Sequence, residues 1–110
     1  MADKILRHLP LTESTTYILM ALTEPLHGYA VMQKIEQLSD GAVSVGPGTL
    51  YGAFSTLEKD GLIVKVAEVE RRKSYALTAL GRQVLLAQIA RLQVTARRGS
   101  EVAGRLKAVK

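Results

Sequence analysis

Two groups of polar side chains in this 110-residue chain have the types and spacing to bind a partner molecule. The first consists of Thr49, Tyr51 and Ser55, which are uncharged and form hydrogen bonds. The second is the run Arg71-Arg72-Lys73, which gathers three cations. Uncharged donors and acceptors can read the edges of base pairs, whereas cations neutralise backbone phosphates. The two groups together predict a surface for duplex DNA.

The first group lies on a predicted helix over Gly46–Gly61. Pro47 fits its first position, where the missing N–H has no cost, and Gly61 fits the left-handed position after its end. One face of the helix carries a buried stripe at i, i+4 and i+7 spacing: Leu50, Phe54 and Leu57. The opposite face then faces outward, and we predict that it lies in the major groove.

The outward face sets the expected roles of its residues. Thr49, Tyr51 and Ser55 are expected to contact base edges or bound water, and Gly48 opens a helix N-terminus whose N–H groups can hold a phosphate. By helical angle Tyr51 lies away from the apolar stripe, which favours an exposed side chain. A core tyrosine with a paired hydroxyl is the alternative.

Two shorter helices are predicted before this one. Thr12 is an N-cap for a helix over 13–23, which Pro25 ends, and a second helix runs over 28–38. Residues 42–45 alternate apolar and polar and predict a short extended segment. Two short helices joined by a brief connection containing glycine outline a helix-turn-helix.

After Gly61 the apolar period changes to two. Residues 62–69 predict a strand, residues 74–77 its partner, and 70–73 a cationic link. Such a hairpin directly after a recognition helix is typical of a wing, with Lys59 and Lys65 beside it as further phosphate contacts. An ordinary surface hairpin with cationic edge protection is the alternative.

A final helix is predicted over 79–107, about 43 Å long at ~1.5 Å per residue. The preceding residues form a globule only about 30 Å across, so the helix overhangs it. Its apolar and small residues follow alternating gaps of four and three, which indicates a seam for a second copy. The predicted homodimer contacts are Leu85, Ile89, Leu92 and Ala96. A frayed basic tail over 97–110 is the alternative.

Composition narrows the classes of protein. The net charge is +5 and the pI near 9.7; residues 1–46 carry −2 (three basic, five acidic) and residues 47–110 carry +7 (twelve basic, five acidic). This skew favours a polyanionic partner over a merely solvated basic surface. The chain has no cysteine, no apolar run long enough to cross a membrane and no signal-peptide core, so we expect a cytoplasmic protein.

No residue pattern predicts catalysis. The two histidines, His8 and His27, are far apart in the sequence and lack neighbours at metal-ligand spacing. The serines lack the context of a nucleophile. We therefore expect no enzyme activity, no metal and no cofactor, and His27 is interpreted as a structural residue at a helix start.

Three blocks of the chain resemble one family. LTESTTYILMALTEPLHGYAVMQKIE (11–36), GPGTLYGAFSTLEKDGLI (46–63) and ERRKSYALTALGR (70–82) are similar to the PadR family of bacterial transcriptional regulators. The resemblance covers about residues 9–92. The sequence differs from the family pattern at Ala30, at Ser55-Thr56 and at Ser74, where the family often has an acidic residue, a basic residue and a tyrosine.

The resemblance implies a mainly α (α+β) fold, a winged helix-turn-helix with a long C-terminal dimerisation helix. We expect a DNA-binding domain over 1–78 and a dimerisation helix with a basic tail over 79–110. The resemblance further implies a homodimeric repressor that binds a palindromic operator and responds to a small-molecule effector. A winged helix that binds an acidic protein and has no DNA specificity is the competing hypothesis.

Overall fold

The computed structural model describes residues 2–109; Met1 and Lys110, which the expected domain ranges include, lie outside the described residues. The elements in chain order are α1 (Ala2–Leu6), α2 (Glu13–Ala21), β1 (Leu26–His27), α3 (Gly28–Leu38), α4 (Pro47–Lys59), β2 (Ile63–Val69), β3 (Arg72–Leu77) and α5 (Ala79–Ala108). The expected fold class, a mainly helical winged helix-turn-helix with a long C-terminal helix, is confirmed.

The core forms where helices α2, α3 and α4 meet the base of the hairpin and the start of α5. Each element contributes the apolar side of its own surface, as helical and strand periodicity require. The most deeply buried large side chains are Ile18, Leu19, Leu22, Val31, Ile35, Leu50, Leu62, Ile63 and Val84.

Helix α4 has the ends that its sequence predicts. Pro47 is in its first turn after the N-cap Gly46. At the other end Gly61 has a φ of 78°, and the N–H of Leu62 donates to the carbonyl of Leu57 at 2.9 Å. This bond, with that from Gly61 to the carbonyl of Glu58 at 3.0 Å, defines a Schellman motif. The C-terminal glycine therefore fixes where the recognition helix stops.

The sheet has three antiparallel strands in the order β1-β3-β2. Strand β1 was not predicted, because two residues give no periodic signal; Leu26 and His27 pair with Tyr75 and Ser74. This pairing places the start of α3 beside the hairpin. Helix α1 was likewise not predicted, and the expected extended segment over 42–45 forms no strand, although Val43 and Val45 are buried in it.

The hairpin turn is tighter than the expected link over 70–73. β3 begins at Arg72, so the turn consists of Glu70 and Arg71 alone. Both have positive φ, 51° and 69°, as a two-residue hairpin turn requires when its twist matches that of the strands. The sequence concealed this turn because neither residue is the glycine or asparagine that favours it.

Helix α5 has 30 residues and extends beyond the domain. The Cα radius of gyration is 16.0 Å, against about 13 Å for a compact chain of this length. The helix continues to Ala108, so the frayed tail expected as the alternative over 97–110 is not what the described residues show.

The start of α5 is fixed against the end of α4. The hydroxyl of Thr78 donates to the carbonyl of Gly61 at 2.6 Å and accepts the N–H of Gly81 at 3.0 Å. Gly81 lies so close to Leu62 that a Cβ at position 81 would overlap the Leu62 carbonyl oxygen. A side chain at this position would push α5 away from the recognition helix.

Gly81→Ala is expected to lower the free energy of unfolding by about 1–3 kcal/mol, because the Leu62 backbone has to shift. Gly104→Ala is the matched control, since Gly104 lies on the same helix with open space around it, and alanine favours a helix by up to about 1 kcal/mol. Urea denaturation at one protein concentration measures both. Equal effects of the two variants would contradict the close approach.

Candidate nucleic-acid interface

The outward face of α4 is polar and open. Gly48, Thr49, Tyr51 and Ser55 are all exposed, whereas Leu50, Phe54 and Leu57 are buried behind them. Tyr51 is 55% exposed, which confirms the exposed interpretation over that of a core tyrosine. The face contains no charge, so it can approach another molecule without desolvating one.

A cleft of about 470 Å³ opens between the first turn of α3, helix α4 and the hairpin. It brings Tyr51 and Ser55 together with the three wing cations, Arg71, Arg72 and Lys73. The other predicted contacts, Gly48, Thr49, Lys59 and Lys65, lie outside it. The cleft therefore joins the two groups of side chains from which the DNA prediction started.

Tyr51 forms one wall of this cleft. Its ring lies over the first turn of α3, where a Cβ at position 28 would come within 2.7 Å of the Tyr51 hydroxyl oxygen. The ring also meets Phe54 edge-on at a centroid distance of 6.1 Å, and Phe54 lies 4.8 Å from the ring of Tyr75. Because Gly28 has no side chain, the Tyr51 ring can pack against the first turn of α3.

The wing cations are distributed differently from the expected tip. Arg71 alone lies in the turn, while Arg72 and Lys73 are on β3 opposite Val69 and Glu68. Neighbouring strand residues point to opposite faces, so Arg72 and Lys73 leave β3 in different directions. All three cations are exposed and border the same cleft.

Lys65 is held by an intramolecular ion pair. Its ammonium nitrogen lies 3.0 Å from a carboxylate oxygen of Glu68, and both side chains are 43% exposed. The hydrogen bond, and then the charge, raise the pKa of Lys65 and lower the pKa of Glu68. A phosphate contact by Lys65 has to compete with this carboxylate.

The predicted dimer contacts on α5 fall into two groups, one packed against the chain's own domain and one exposed where the helix leaves it. Leu85 is 5% exposed and packs in the core of its own domain, so it has little surface left for a partner. Ile89 is half-buried against the same core. Leu92, which is 46% exposed, and Ala96 lie where the helix leaves the domain and are accessible.

Five residues that line the cleft were not predicted as part of the interface: His27, Gly28, Tyr29, Phe54 and Tyr75. His27 and Tyr29 flank the glycine that starts α3, and the His-Gly-Tyr block could have indicated them. Tyr75 gave no such signal, because an inward strand residue is normally a core residue. Only the pairing of β1 with β3 brings Tyr75 to the start of α3.

Three packed helices followed by an antiparallel hairpin, with an exposed polar face on the third core helix, define the winged helix-turn-helix class of DNA-binding proteins. The model of the Transcriptional regulator PadR-like family matches residues 18–87. The chain belongs to this family.

Solved structures share the fold. RosR from H. salinarum is 24% identical, with a TM-score of 0.68 over 93% of this chain and 99% of that one. A PadR family transcriptional regulator from Eggerthella lenta is 25% identical, with a TM-score of 0.66 over 93% of this chain and 88% of that one.

A curated relative matches over part of the chain. It is an uncharacterized 37.1 kDa protein in transposon TN4556 of Streptomyces fradiae, 44% identical over 69 residues. These cover 62% of this chain and 19% of the relative, so the match spans about a fifth of that protein.

No helix in residues 2–109 is long and apolar enough to cross a membrane. The same residues contain no group of three or more histidine, cysteine, aspartate or glutamate side chains placed to hold a metal ion.

Glu68→Gln is expected to strengthen nonspecific DNA binding, because it frees Lys65 and adds one positive charge to the wing. The slope of log K against log salt should steepen by up to about 0.9, the value for one additional phosphate contact. Fluorescence anisotropy with an arbitrary duplex measures both quantities.

Glu101→Gln is the control. Glu101 pairs with Arg98 at 3.4 Å in the same i, i+3 arrangement, but on the protruding part of α5. It should change neither affinity nor slope. An equal gain from both variants would show that net charge alone sets the affinity.

Proposed function

We propose that this protein is a sequence-specific repressor that binds a palindromic operator as a homodimer and is released by a small-molecule effector. The observation that supports this most is the cleft shared by the recognition helix and the wing. It joins an uncharged polar face to three exposed cations. Such a surface is suited to reading bases and neutralising phosphates at the same time.

Each side chain has a proposed role in the complex. Thr49, Tyr51 and Ser55 contact base edges or bridging water, and the backbone at Gly48 approaches a phosphate. Arg71, Arg72 and Lys73 of the wing, with Lys59 and Lys65 near it, supply phosphate contacts. The phosphate contacts provide affinity, and the helix face provides sequence preference.

The homodimer is proposed from the part of α5 that projects beyond the domain. At about 100° per residue, one stripe carries exposed or small apolar side chains: Leu92, Ala96, Gly99, Val102, Ala103 and Leu106. The cations Arg97, Arg98 and Arg105 lie on the other side. A long apolar stripe left in water would favour aggregation, so a second copy is proposed to cover it.

An apolar groove continues this stripe onto the domain. It measures about 460 Å³ and lies between α2, the end of α3 and α5, lined by residues such as Leu11, Tyr17, Met20, Leu38, Ile89 and Leu92. A second copy of α5 can continue its packing there. The dimer then buries both the stripe and the groove.

The proposed effector acts by changing the distance between the two recognition helices. A ligand shifts this arrangement only if it binds one arrangement more tightly than another. Transcriptional control of this kind takes place on the chromosome, so we place the protein in the cytoplasm, associated with the nucleoid when bound to DNA.

Replacing Arg71 and Arg72 by alanine is expected to weaken binding to every duplex and to lower the salt slope by up to about 1.8, the loss of two phosphate contacts. The double variant Arg97→Ala, Arg98→Ala removes the same charge from the protruding helix and should change little. Titrations at several salt concentrations compare them. Equal losses would remove the wing from the mechanism.

Replacing Val102 and Leu106 by glutamate is expected to produce monomers, because two charges would be buried in the interface. The control replaces Leu86 and Val94 by glutamate. These residues are 67% and 48% exposed, against 68% and 42% for Leu106 and Val102, but lie on the other side of α5. Light scattering should show dimers for the control only.

Selection of bound duplexes from a random pool completes this experiment. The wild type should return an inverted repeat, and the monomeric variant a single half-site. A dimer that persists in the Val102 and Leu106 variant would contradict the proposed interface. A selection that returns no motif would favour a protein-binding role for the winged helix.

A further inference from the structure

The hydroxyl of Tyr75 has no hydrogen-bond partner among residues 2–109. The residue is only 8% exposed, yet its oxygen makes no hydrogen bond within the described residues. No fully enclosed side-chain polar atom there lacks a partner, so this oxygen must reach an opening. The opening is the cleft between α3, α4 and the wing, which Tyr75 lines. A buried hydroxyl that is open on one side only is suited to a bound acceptor.

The hydroxyl is a donor at neutral pH. Burial, and secondarily the charge of Glu58, raise the pKa of Tyr75 above its ordinary value. The phenol therefore stays protonated. An acceptor that reaches the hydroxyl through the cleft therefore meets a protonated donor with no competing partner among the described residues.

The first turn of α3 supplies further donors to the same cleft. N–H groups in the first turn of a helix have no acceptor within the helix. His27 is the N-cap of α3, an eleven-residue helix, and its side chain makes no capping hydrogen bond. Gly28 and Tyr29 line the cleft, so the positive end of the helix dipole faces it.

The remaining wall is cationic. Arg71, Arg72 and Lys73 border the cleft from the wing. A phenol donor, a helix N-terminus and three cations converge on one concave space. This arrangement offers mainly donors and positive charge, which suits a phosphate oxygen better than a base edge with its mixture of donors and acceptors.

We propose that this cleft holds one backbone phosphate of the operator, with Tyr75 donating to a phosphate oxygen and the first turn of α3 facing it. The inference rests on the proposed function. The cleft has a volume of about 470 Å³. This is larger than a single phosphate needs and leaves room for the adjoining sugars. The bound phosphate fixes the distance between the recognition helix and the wing on the duplex, which makes Tyr75 a residue that sets register.

A double-mutant cycle between protein and DNA tests the contact. Operator duplexes are prepared, each with one neutral methylphosphonate in place of a phosphate, and binding is measured for the wild type and Tyr75→Phe. One position should cost the wild type about tenfold or more in affinity, as for a hydrogen bond to a charged group. At that position Tyr75→Phe should lose at least threefold less.

The control is Thr23→Val, which removes an exposed hydroxyl that lies outside both the cleft and the groove proposed for the second copy. It should give the wild-type pattern at every position. Thermal unfolding of both variants checks the fold, which Tyr75→Phe should retain because the lost oxygen bonds to none of the described residues.

The outcomes separate the two proposals. If Tyr75→Phe and the wild type respond equally at all positions while both bind the operator, the phosphate contact is wrong and the proposed function stands. If the wild type shows no sequence preference, the proposed function fails. A titration with inorganic phosphate, followed by the tyrosine NMR signals of both proteins, tests whether the cleft binds a free anion instead of a DNA phosphate. Inorganic phosphate that binds the wild type saturably but does not bind Tyr75→Phe would show a free-anion site. If the two proteins also respond equally to every methylphosphonate, the proposed contact with an operator phosphate is wrong.

Discussion

The close packing of α5 on the end of α4 is the constraint on which the rest of this structure depends. Gly61 ends the recognition helix in a left-handed conformation, and the carbonyl of the next residue, Leu62, lies against Gly81. The hydroxyl of Thr78 joins the two segments by bonding to both Gly61 and Gly81. One small junction therefore fixes the end of the recognition helix, the base of the wing and the direction of α5. A displacement here would move all three relative to one another.

Charge is distributed so that the reading face and the anchoring elements remain distinct. The exposed side of α4 is uncharged around Tyr51 and Ser55, while cations lie on the wing that flanks it. An uncharged face leaves short-range hydrogen bonding to decide between sequences, because a cation there would attract every duplex alike. Lys65 is partly neutralised by Glu68, which lowers the positive charge at the base of the hairpin. The other cations of the hairpin, Arg71, Arg72 and Lys73, lie in and next to its turn.

Sequence reasoning succeeded where a pattern is local and failed where distant segments meet. The bounds of α4 follow from Pro47 and Gly61, and the long α5 follows from its periodic apolar residues. Strand β1 has two residues and forms only because β3 lies beside it. The same pairing brings Tyr75 next to the start of α3, which no periodicity could reveal. The sequence also could not show that Leu85 packs in the core of its own domain. An apolar residue on α5 gives the same periodic pattern whether the domain core or a second copy covers it.

The turn at Glu70 and Arg71 has a consequence for how such regulators diverge. Both residues occupy a left-handed backbone conformation that glycine or asparagine adopts with less strain. A glycine in place of Arg71 would relax the hairpin but remove a cation from its tip. Stability and reach toward the nucleic acid are thus opposed at this position. The turn is exposed and remote from the core. Mutations there can therefore gain hairpin stability and lose positive charge, or the reverse, without disturbing the remainder of the fold. This makes the tip a natural place for the overall affinity for DNA to evolve.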